Sequence, residues 1–369
     1  MRIRCEKDQL LTAVQIVQKA IATKTTLPIL TGIYLSAADG KLELQSTDYE
    51  VGISMTIPAE IIEPGKAVLS GKFFPEIIRK ISGKTIEIFS VLQSSMITIA
   101  AEKTEFKILS FPADEFPTIK KFESNNSITV KDDVLKDLIK KTVFACSTDE
   151  SRPLFTGALT EVFEDEIIMV ATNTHRLALK KHSLLGANNA LKMIIPGKIL
   201  NELTKIINFD VPTDVKIVWL KNQVAFSFDN IYIMSRVIEG QFPDYKKVIP
   251  IDFTSYCVLD SNILFEAVER VSLLAKDGEY NIIKIKFTPN TIELAGNNPD
   301  AGSAIEILDV IPEGEPMEIA FNAKYLLEVL RIAGSGKVKF HLKSALSPVM
   351  IKLMDDLEYT YILTPIRTN

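Results

Sequence analysis

Three sets of residues return at a spacing of 125 or 126 in this 369-residue chain. Thr47-Asp48 follows the alternating run KLELQS, Thr172-Asn173 follows EIIMVA, and Asn297-Asn298 follows TIELAG. Lys72 precedes FFPEIIRKI, Lys198 precedes ILNELTKII, and Lys324 precedes YLLEVLRIA. Phe116-Pro117 and Phe242-Pro243 supply a third marker. Markers that keep one period indicate a supersecondary unit used repeatedly. The length itself suits two or three domains of roughly 100–200 residues.

Each unit opens with apolar residues at helical spacing. These are Leu10, Leu11, Val14, Val17 and Ile21 in the first unit, and Leu135, Leu138, Ile139 and Val143 in the second. Ile263, Leu264, Ala267, Val268 and Val271 serve in the third. Steps of three and four put such side chains on one helical face. Period-two alternation predicts strands, for example Lys41 to Gln45 and Lys284 to Phe287. A second helix is expected from Lys72, Lys198 and Lys324. Closing strands follow, such as Ile231 to Val237 and Tyr359 to Leu363. The reading is α+β: three tandem copies of one domain, each with two helices packed on antiparallel sheet of about eight short strands. Turn formers and breaks in the apolar pattern near Phe122–Asn126 and Ile249–Asp252 divide the chain into residues 1–122, 123–250 and 251–369.

Charge is distributed unevenly over these elements. The net charge is −5, which excludes a generic basic coat for nucleic acid but not a local basic face. The six helical windows, 7–24, 72–84, 131–141, 198–207, 260–276 and 324–337, hold 18 Lys and Arg against 10 Asp and Glu. The rest of the chain is then 13 units negative. On one helix this is often a solvated face with cations near the C-terminal turn. On six helices that share one orientation, it makes a basic surface within an acidic body, which attracts phosphates.

Catalytic signatures are missing. Gly83-Lys84-Thr85 resembles the end of a P-loop, but Ile78 stands where the first glycine must be. Gly334-Ser335-Gly336-Lys337 fails at Arg331 and Val338. No H-E-x-x-H, Cys-x-x-Cys or G-x-S-x-G occurs. His175, His182 and His341 lack metal-ligand spacing, so no metal or cofactor is expected. A hydrolase built on Cys146 and His175 is conceivable, but a buried structural cysteine is the better reading without a family signature. Asp132-Asp133 at a helix start suits N-capping. The three cysteines, Cys5, Cys146 and Cys257, are few, odd in number and far apart, which fits a reducing compartment. The start MRIRCEKDQLL lacks a signal-peptide apolar core, and no run approaches the ~18–20 apolar residues of a membrane helix. A cytoplasmic, non-enzymatic protein without a membrane partner is expected.

Several stretches carry a more specific resemblance. They are Leu27-Pro28-Ile29-Leu30, Arg152-Pro153-Leu154-Phe155-Thr156-Gly157 and Thr172-Asn173-Thr174-His175-Arg176-Leu177-Ala178. Gly240-Gln241-Phe242-Pro243-Asp244-Tyr245, Ile307-Leu308-Asp309-Val310, Phe321-Asn322-Ala323-Lys324-Tyr325-Leu326 and Thr364-Pro365-Ile366-Arg367 continue it to the end. In order and over the whole chain, they resemble the bacterial sliding clamps, the beta subunits of DNA polymerase III. The resemblance implies a DNA polymerase processivity factor. It also implies a head-to-tail homodimer, two chains forming a pseudo-sixfold ring of clamp domains around double-stranded DNA, helices inside. Partners would be the replicative polymerase alpha subunit, the clamp loader, other polymerases and repair proteins, all held through short linear peptides. A clamp paralogue with an antibiotic-resistance or specialised repair role is the alternative.

The resemblance also implies sites. The partner-peptide pocket would use Phe155, Thr172, His175, Arg176, Leu177, Pro243, Lys247 and Val248. Asn322, Tyr325, Met350, Ile362, Leu363, Thr364, Pro365, Ile366 and Arg367 would complete it. Thr364 stands where family members often carry an aliphatic residue or methionine, and Phe155 where leucine is common, so a pocket of altered depth is expected. DNA-facing candidates are Lys24, Lys198 and Arg152, although Asp149 and Glu150 precede Arg152. Lys72, Arg79 and Lys324 join them from the repeat alone. The dimer seam would use Phe106 and Ile108 on one side and Leu273 and Leu274 on the other. Glu105 occupies a slot that is basic in some members, so an apolar seam with modest salt sensitivity is expected.

Overall fold

The structure, a computed structural model, describes residues 1–90, 95–163, 165–184, 190–207, 211–277 and 280–367. Six α-helices lie among them: α1 (Lys7–Val17), α2 (Phe74–Lys80), α3 (Asp132–Thr142), α4 (Gly197–Ile206), α5 (Ser261–Ser272) and α6 (Ala323–Ala333). They fall two to a repeat. Every strand pairing is antiparallel, as expected for this mixed fold of three tandem domains.

The expected apolar stripes form the helix cores. Leu10, Ala13, Val14 and Val17 of α1 are buried, as are Leu264, Ala267, Val268 and Val271 of α5. Details differ from the sequence reading, and Ile21 and Val143 fall beyond the ends of α1 and α3. Ile263 is exposed, because it stands one residue, about 100° of helix, away from the stripe through Leu264. The Asp260 carboxylate accepts the N–H groups of Asn262 and Ile263 and so fixes that rotation. In the first repeat the second helix begins at Phe74 rather than Lys72. The Phe73 N–H closes a turn on the Ser70 carbonyl, and Pro75 sits in the first helical turn, where its missing N–H costs nothing.

Packing divides the chain into two compact units, residues 1–132 with 205–237 and residues 133–204 with 238–369. Thirteen strands of the first unit join edge to edge. The link between first and second repeats is Val51–Pro58 paired with Ile231–Arg236, Met55 opposite Ile231. The second unit holds an eight-stranded and a five-stranded sheet. Its link between second and third repeats is Arg176–Ser183 paired with Tyr359–Leu363, Arg176 opposite Leu363. Val51–Pro58 and Arg176–Ser183 are 125 residues apart, so both junctions use the same pair of strands.

Two strands of this kind keep an open edge among the described residues. Gly302–Asp309, the third repeat's counterpart of Val51–Pro58, pairs only with Thr291–Asn298. Thr104–Phe111, the first repeat's counterpart of Ile231–Arg236, pairs along one side with Met96–Ala101. On its other side, only Ser110 and Phe111 are engaged.

An ion cluster braces the junction of the second unit. Lys141 of α3 and Lys180 of the junction strand each lie 2.5 Å from a different oxygen of Asp356. Asp137 is 2.9 Å from Lys141. Burial opposes ionisation of Asp356, but the hydrogen bonds from both lysines outweigh it and hold the carboxyl below its usual range. A depressed pKa contributes stability above the unfolded value, about 3.9, that disappears as pH falls through the folded value. Asp356→Ala leaves two mostly buried ammonium groups underpaired. It should destabilise by about 3 kcal/mol, read as a lower urea midpoint at pH 7. The gap to wild type should shrink below about pH 4. An unchanged midpoint at pH 7 would show that the cluster does not brace the fold.

Candidate functional site

The repeat markers prove to be one hydrogen-bonded turn. The Thr172 hydroxyl donates to the Arg176 carbonyl at 2.6 Å and accepts the Thr174 N–H at 3.1 Å. The Asn173 side-chain oxygen accepts the N–H groups of His175 and Arg176. Thr47 and Asp48 make the same four bonds to Val51, Tyr49 and Glu50. Asn298 accepts the Asp300 N–H in the third repeat.

Beside the second of these turns lies a cleft of about 330 Å³. Phe155, Thr172, Thr174, Arg176 and Leu177 line it from one stretch of chain. Phe242, Pro243, Asp244, Tyr245 and Val248 form a second wall, and Pro348, Ile362 and Thr364 a third. Phe155 and Phe242 meet edge to face with ring centres 6.3 Å apart. Asp244 caps the short turn Tyr245–Val248 by accepting the Lys246 N–H. The Tyr245 hydroxyl donates to Glu161 at 2.9 Å, and burial with this bond raises its pKa. Its ring therefore faces the cleft while its polar end is already satisfied. Arg176 is buried and committed as well. Its guanidinium donates to Glu328 and to the Phe144 carbonyl and lies 4.4 Å from the Tyr325 ring centre.

The junction in the first unit explains why this place is hollow. There, Phe122 and Tyr232 meet edge to face over Ile119, and Ile119 packs against Gly52. By strand pairing and repeat spacing, the counterparts in the second unit are Val248 for Phe122, Thr360 for Tyr232 and Leu177 for Gly52. The floor gains a leucine, and the two rings that would cover it are reduced to valine and threonine. A mostly apolar recess with a few polar rim groups suits the anchoring side chains of a peptide.

The expected residues divide accordingly. Phe155, Thr172, Arg176, Leu177, Pro243, Val248, Ile362 and Thr364 line the cleft together. His175 is exposed beside it, and Lys247 is exposed and 3.5 Å from Asp244. Asn322 caps α6 by accepting the Lys324 N–H. Tyr325 stacks under Arg176, and its hydroxyl accepts from Asn173. Met350 and Leu363 are buried in the core. Pro365 and Ile366 are half-buried and Arg367 exposed; the Ile366 N–H fastens the tail to the Ala320 carbonyl. None of these nine lines the cleft. Thr174, Phe242, Asp244, Tyr245 and Pro348 were not expected. Thr174, Phe242, Asp244 and Tyr245 lie within the motifs that carry the resemblance, and Phe242 also repeats Phe116, whereas Pro348 carried no sequence signal.

Lys24, Lys72, Arg79, Arg152, Lys198 and Lys324 are all exposed. Lys198 and Lys324 are the second residues of α4 and α6, and Lys72 lies just before α2. A cation at a helix N-terminus opposes the helix dipole, so helix stability does not account for these lysines. Arg79 pairs with Glu76 at 2.5 Å. Hydrogen bonds from Ser151 chiefly, with the Arg152 charge a smaller influence, hold the Asp149 carboxyl below its usual range, so Arg152 neighbours an ionised acid. Burial pushes the Cys146 thiol up to about 12, against the opposing charge of Arg176, which withholds the thiolate a cysteine nucleophile needs. No described helix is long and apolar enough to cross a membrane. No described group of His, Cys, Asp and Glu is arranged to hold a metal.

Three family models match in succession. The N-terminal domain of the DNA polymerase III beta subunit covers residues 1–120, the central domain 129–244 and the C-terminal domain 246–367. The chain is 35% identical to the beta sliding clamp of Bacillus subtilis over 380 residues, with all of both chains covered. It is 34% identical to that of Staphylococcus aureus over 377 residues, again with full coverage. Among solved structures, the sliding clamp of Bacillus subtilis matches with a TM-score of 0.95 at 34% identity over all of both chains. The beta subunit from Streptococcus pyogenes gives 0.95 at 27% identity, also over all of both chains.

Proposed function

Because the chain belongs to the DNA polymerase III beta subunit family, the sliding clamps, and is a DNA polymerase processivity factor, we propose that two copies close head to tail into a ring around duplex DNA. The observation that carries this reading is the pair of open strand edges, Thr104–Phe111 and Gly302–Asp309. Their counterparts pair with each other at both junctions inside the chain. A third use of the same pairing, between copies, joins the end of one chain to the start of the next. Applied twice, this heterologous contact closes on itself and leaves neither of these two edges open. Repeat spacing puts Lys107 opposite Ser303 or Ile305, the two internal junctions differing by two residues in register.

Such a ring holds DNA by topology. Its three domains per copy would be residues 1–122, 123–250 and 251–369. Lys24, Lys72, Arg79, Arg152, Lys198 and Lys324 would give weak, delocalised phosphate contacts, which permit sliding, whereas base contacts would arrest it. No bond is made or broken in that task, so the protein works without catalysis. The cleft at Leu177 and Ile362 takes linear peptides of the replicative polymerase, the clamp loader and other polymerases and repair proteins, and the protein acts in the cytoplasm.

The seam is more apolar than the sequence reading proposed. Besides Phe106, Ile108, Leu273 and Leu274, the exposed residues Leu109, Ile305 and Ile307 belong to it or flank it. Glu306 is engaged by Arg270 of its own chain at 2.6 and 3.0 Å. Light scattering across a dilution series should give about 82 kDa, twice the 41.1 kDa chain mass. Raising the salt concentration to about 1 M, where the Debye length is about 3 Å, should weaken the dimer only modestly. A persistent 41.1 kDa species would rule out the self-closing ring. Steep salt-driven dissociation would rule out the apolar seam.

A further inference from the structure

We propose that Glu328 is a positioning residue of the peptide cleft: its carboxylate holds the Arg176 guanidinium against α6 and so keeps that charge out of the space a peptide anchor needs. The proposal rests on the reading of the cleft as a peptide site and goes beyond it in assigning a residue that does not line the cleft. Arg176 is only 5% exposed, although arginine is rarely buried without a partner. Its guanidinium donates to the Glu328 carboxylate and to the Phe144 carbonyl. The Tyr325 and Phe144 ring centres lie 4.4 and 5.3 Å from it, within the range of cation–π attraction. Its Nε has no hydrogen-bond partner among the described residues. Of the groups that hold the guanidinium, Glu328 alone carries a full opposite charge.

The repeats tie this ion pair to the hollow junction. A glutamate stands at the same place in each second helix, as Glu76, Glu202 and Glu328. Glu76 is engaged by Arg79 of its own helix, three residues on. The arginine is what changes. At the first junction, strand pairing and repeat spacing put Val51 in the place of Arg176, buried and uncharged. The junction that Phe122 and Tyr232 fill has valine at this position; the junction with the cleft has arginine.

A cation beside an open recess needs restraint. A buried guanidinium without its counter-ion is costly, and a long arginine side chain can relieve that cost by carrying its charged end toward water. Arg176 lines the cleft, so the cleft is a route open to it. The recess is about 330 Å³, and a guanidinium inside it would compete directly with an anchoring side chain. The Glu328 carboxylate makes the withdrawn position the stable one before any peptide arrives. The cleft is then preorganised, and binding need not first displace a charge.

The test uses the full-length protein, isothermal titration calorimetry and an uncharged peptide, acetylated and amidated, with one glutamine followed by two leucines. Glu328→Gln keeps the size of the side chain and removes its charge. It should raise the dissociation constant at least fivefold. Adding Arg176→Met to that variant should tighten binding again at least threefold, because methionine packs beside the two rings and has no charge to carry toward water. A glutamate that merely supported the fold would give the opposite result, since a second buried change would add to the damage of the first. Circular dichroism should show both variants folded. If Glu328→Gln does not fold, Glu328→Asp, which keeps the charge but shortens the reach, carries the same comparison. If the wild type binds and Glu328→Gln binds equally well, Glu328 does not position the cleft. If Glu328→Gln binds weakly and the double variant no better, the arginine is not what blocks the cleft, and the proposal is wrong. If the wild type does not bind the peptide, the reading of the cleft fails, and this inference fails with it.

Discussion

Lys107→Pro should turn the proposed dimer into a 41.1 kDa monomer at micromolar concentration and abolish retention on circular DNA. Direction of the backbone groups makes this substitution selective. The Ser110 N–H donates inward to the Ser95 carbonyl, across the pairing with strand Met96–Ala101. N–H groups alternate along a strand in direction, so that of Lys107 points to the open edge. Proline there removes a donor that the chain's own sheet does not use, and its ring stands where an approaching strand must lie. The proposed ring would contain the change twice, once per seam. A partner carbonyl left without its donor costs about 1–3 kcal/mol at each seam, before the steric obstruction is counted. Lys107→Val keeps the N–H and should remain a dimer, which separates backbone from charge effects. Circular dichroism should show both variants folded. A Lys107→Pro protein that remains at about 82 kDa would mean the copies do not join along this edge.

The strands whose edges matter here were only half legible in the sequence. Alternation announced Lys41 to Gln45 and Lys284 to Phe287, and the period announced three units. Nothing local announced that Val51–Pro58 pairs with Ile231–Arg236, some 180 residues away. Such pairings depend on which edges remain after each unit closes, and that is a property of the whole sheet. Helix starts fell within a residue of the expected windows at 260 and 324, where the structure shows Asp260 and Asn322 as caps. They were displaced where a proline and a turn intervened, as at Lys72. The cleft shows the same limit. Leu177 and Ile362 belong to recognisable motifs, whereas Pro348 enters the lining only because its hairpin folds beside them. Thr174 was within a quoted motif, but its left-handed backbone could not be read from a threonine, the kind of residue that ordinarily avoids it.

Val248→Phe combined with Thr360→Tyr should close the proposed peptide cleft by copying the chain's own first junction. Phe122 and Tyr232 already cover the equivalent floor there, with the Tyr232 hydroxyl accepting the Phe122 N–H at 3.3 Å. The geometry needed by two new rings is therefore one that this fold supports. The grafted rings would occupy the space for two peptide anchors. Loss of both anchors removes about 3 kcal/mol or more of burial, roughly a hundredfold or more in affinity. Val248→Phe alone should give part of that loss, since Val248 is half-exposed at the rim and no buried group is displaced. Thr360 is buried and accepts from Lys352 at 2.6 Å, so the double variant should be somewhat less stable than wild type. Its dimer mass and its DNA retention should nevertheless be unchanged, because Val248 and Thr360 belong to neither open edge. That combination of outcomes would separate the two proposed functions, enclosure by strand edges and recruitment by an unfilled junction. A double variant that folds, dimerises and still binds partner peptides as wild type does would place recruitment elsewhere on the protein.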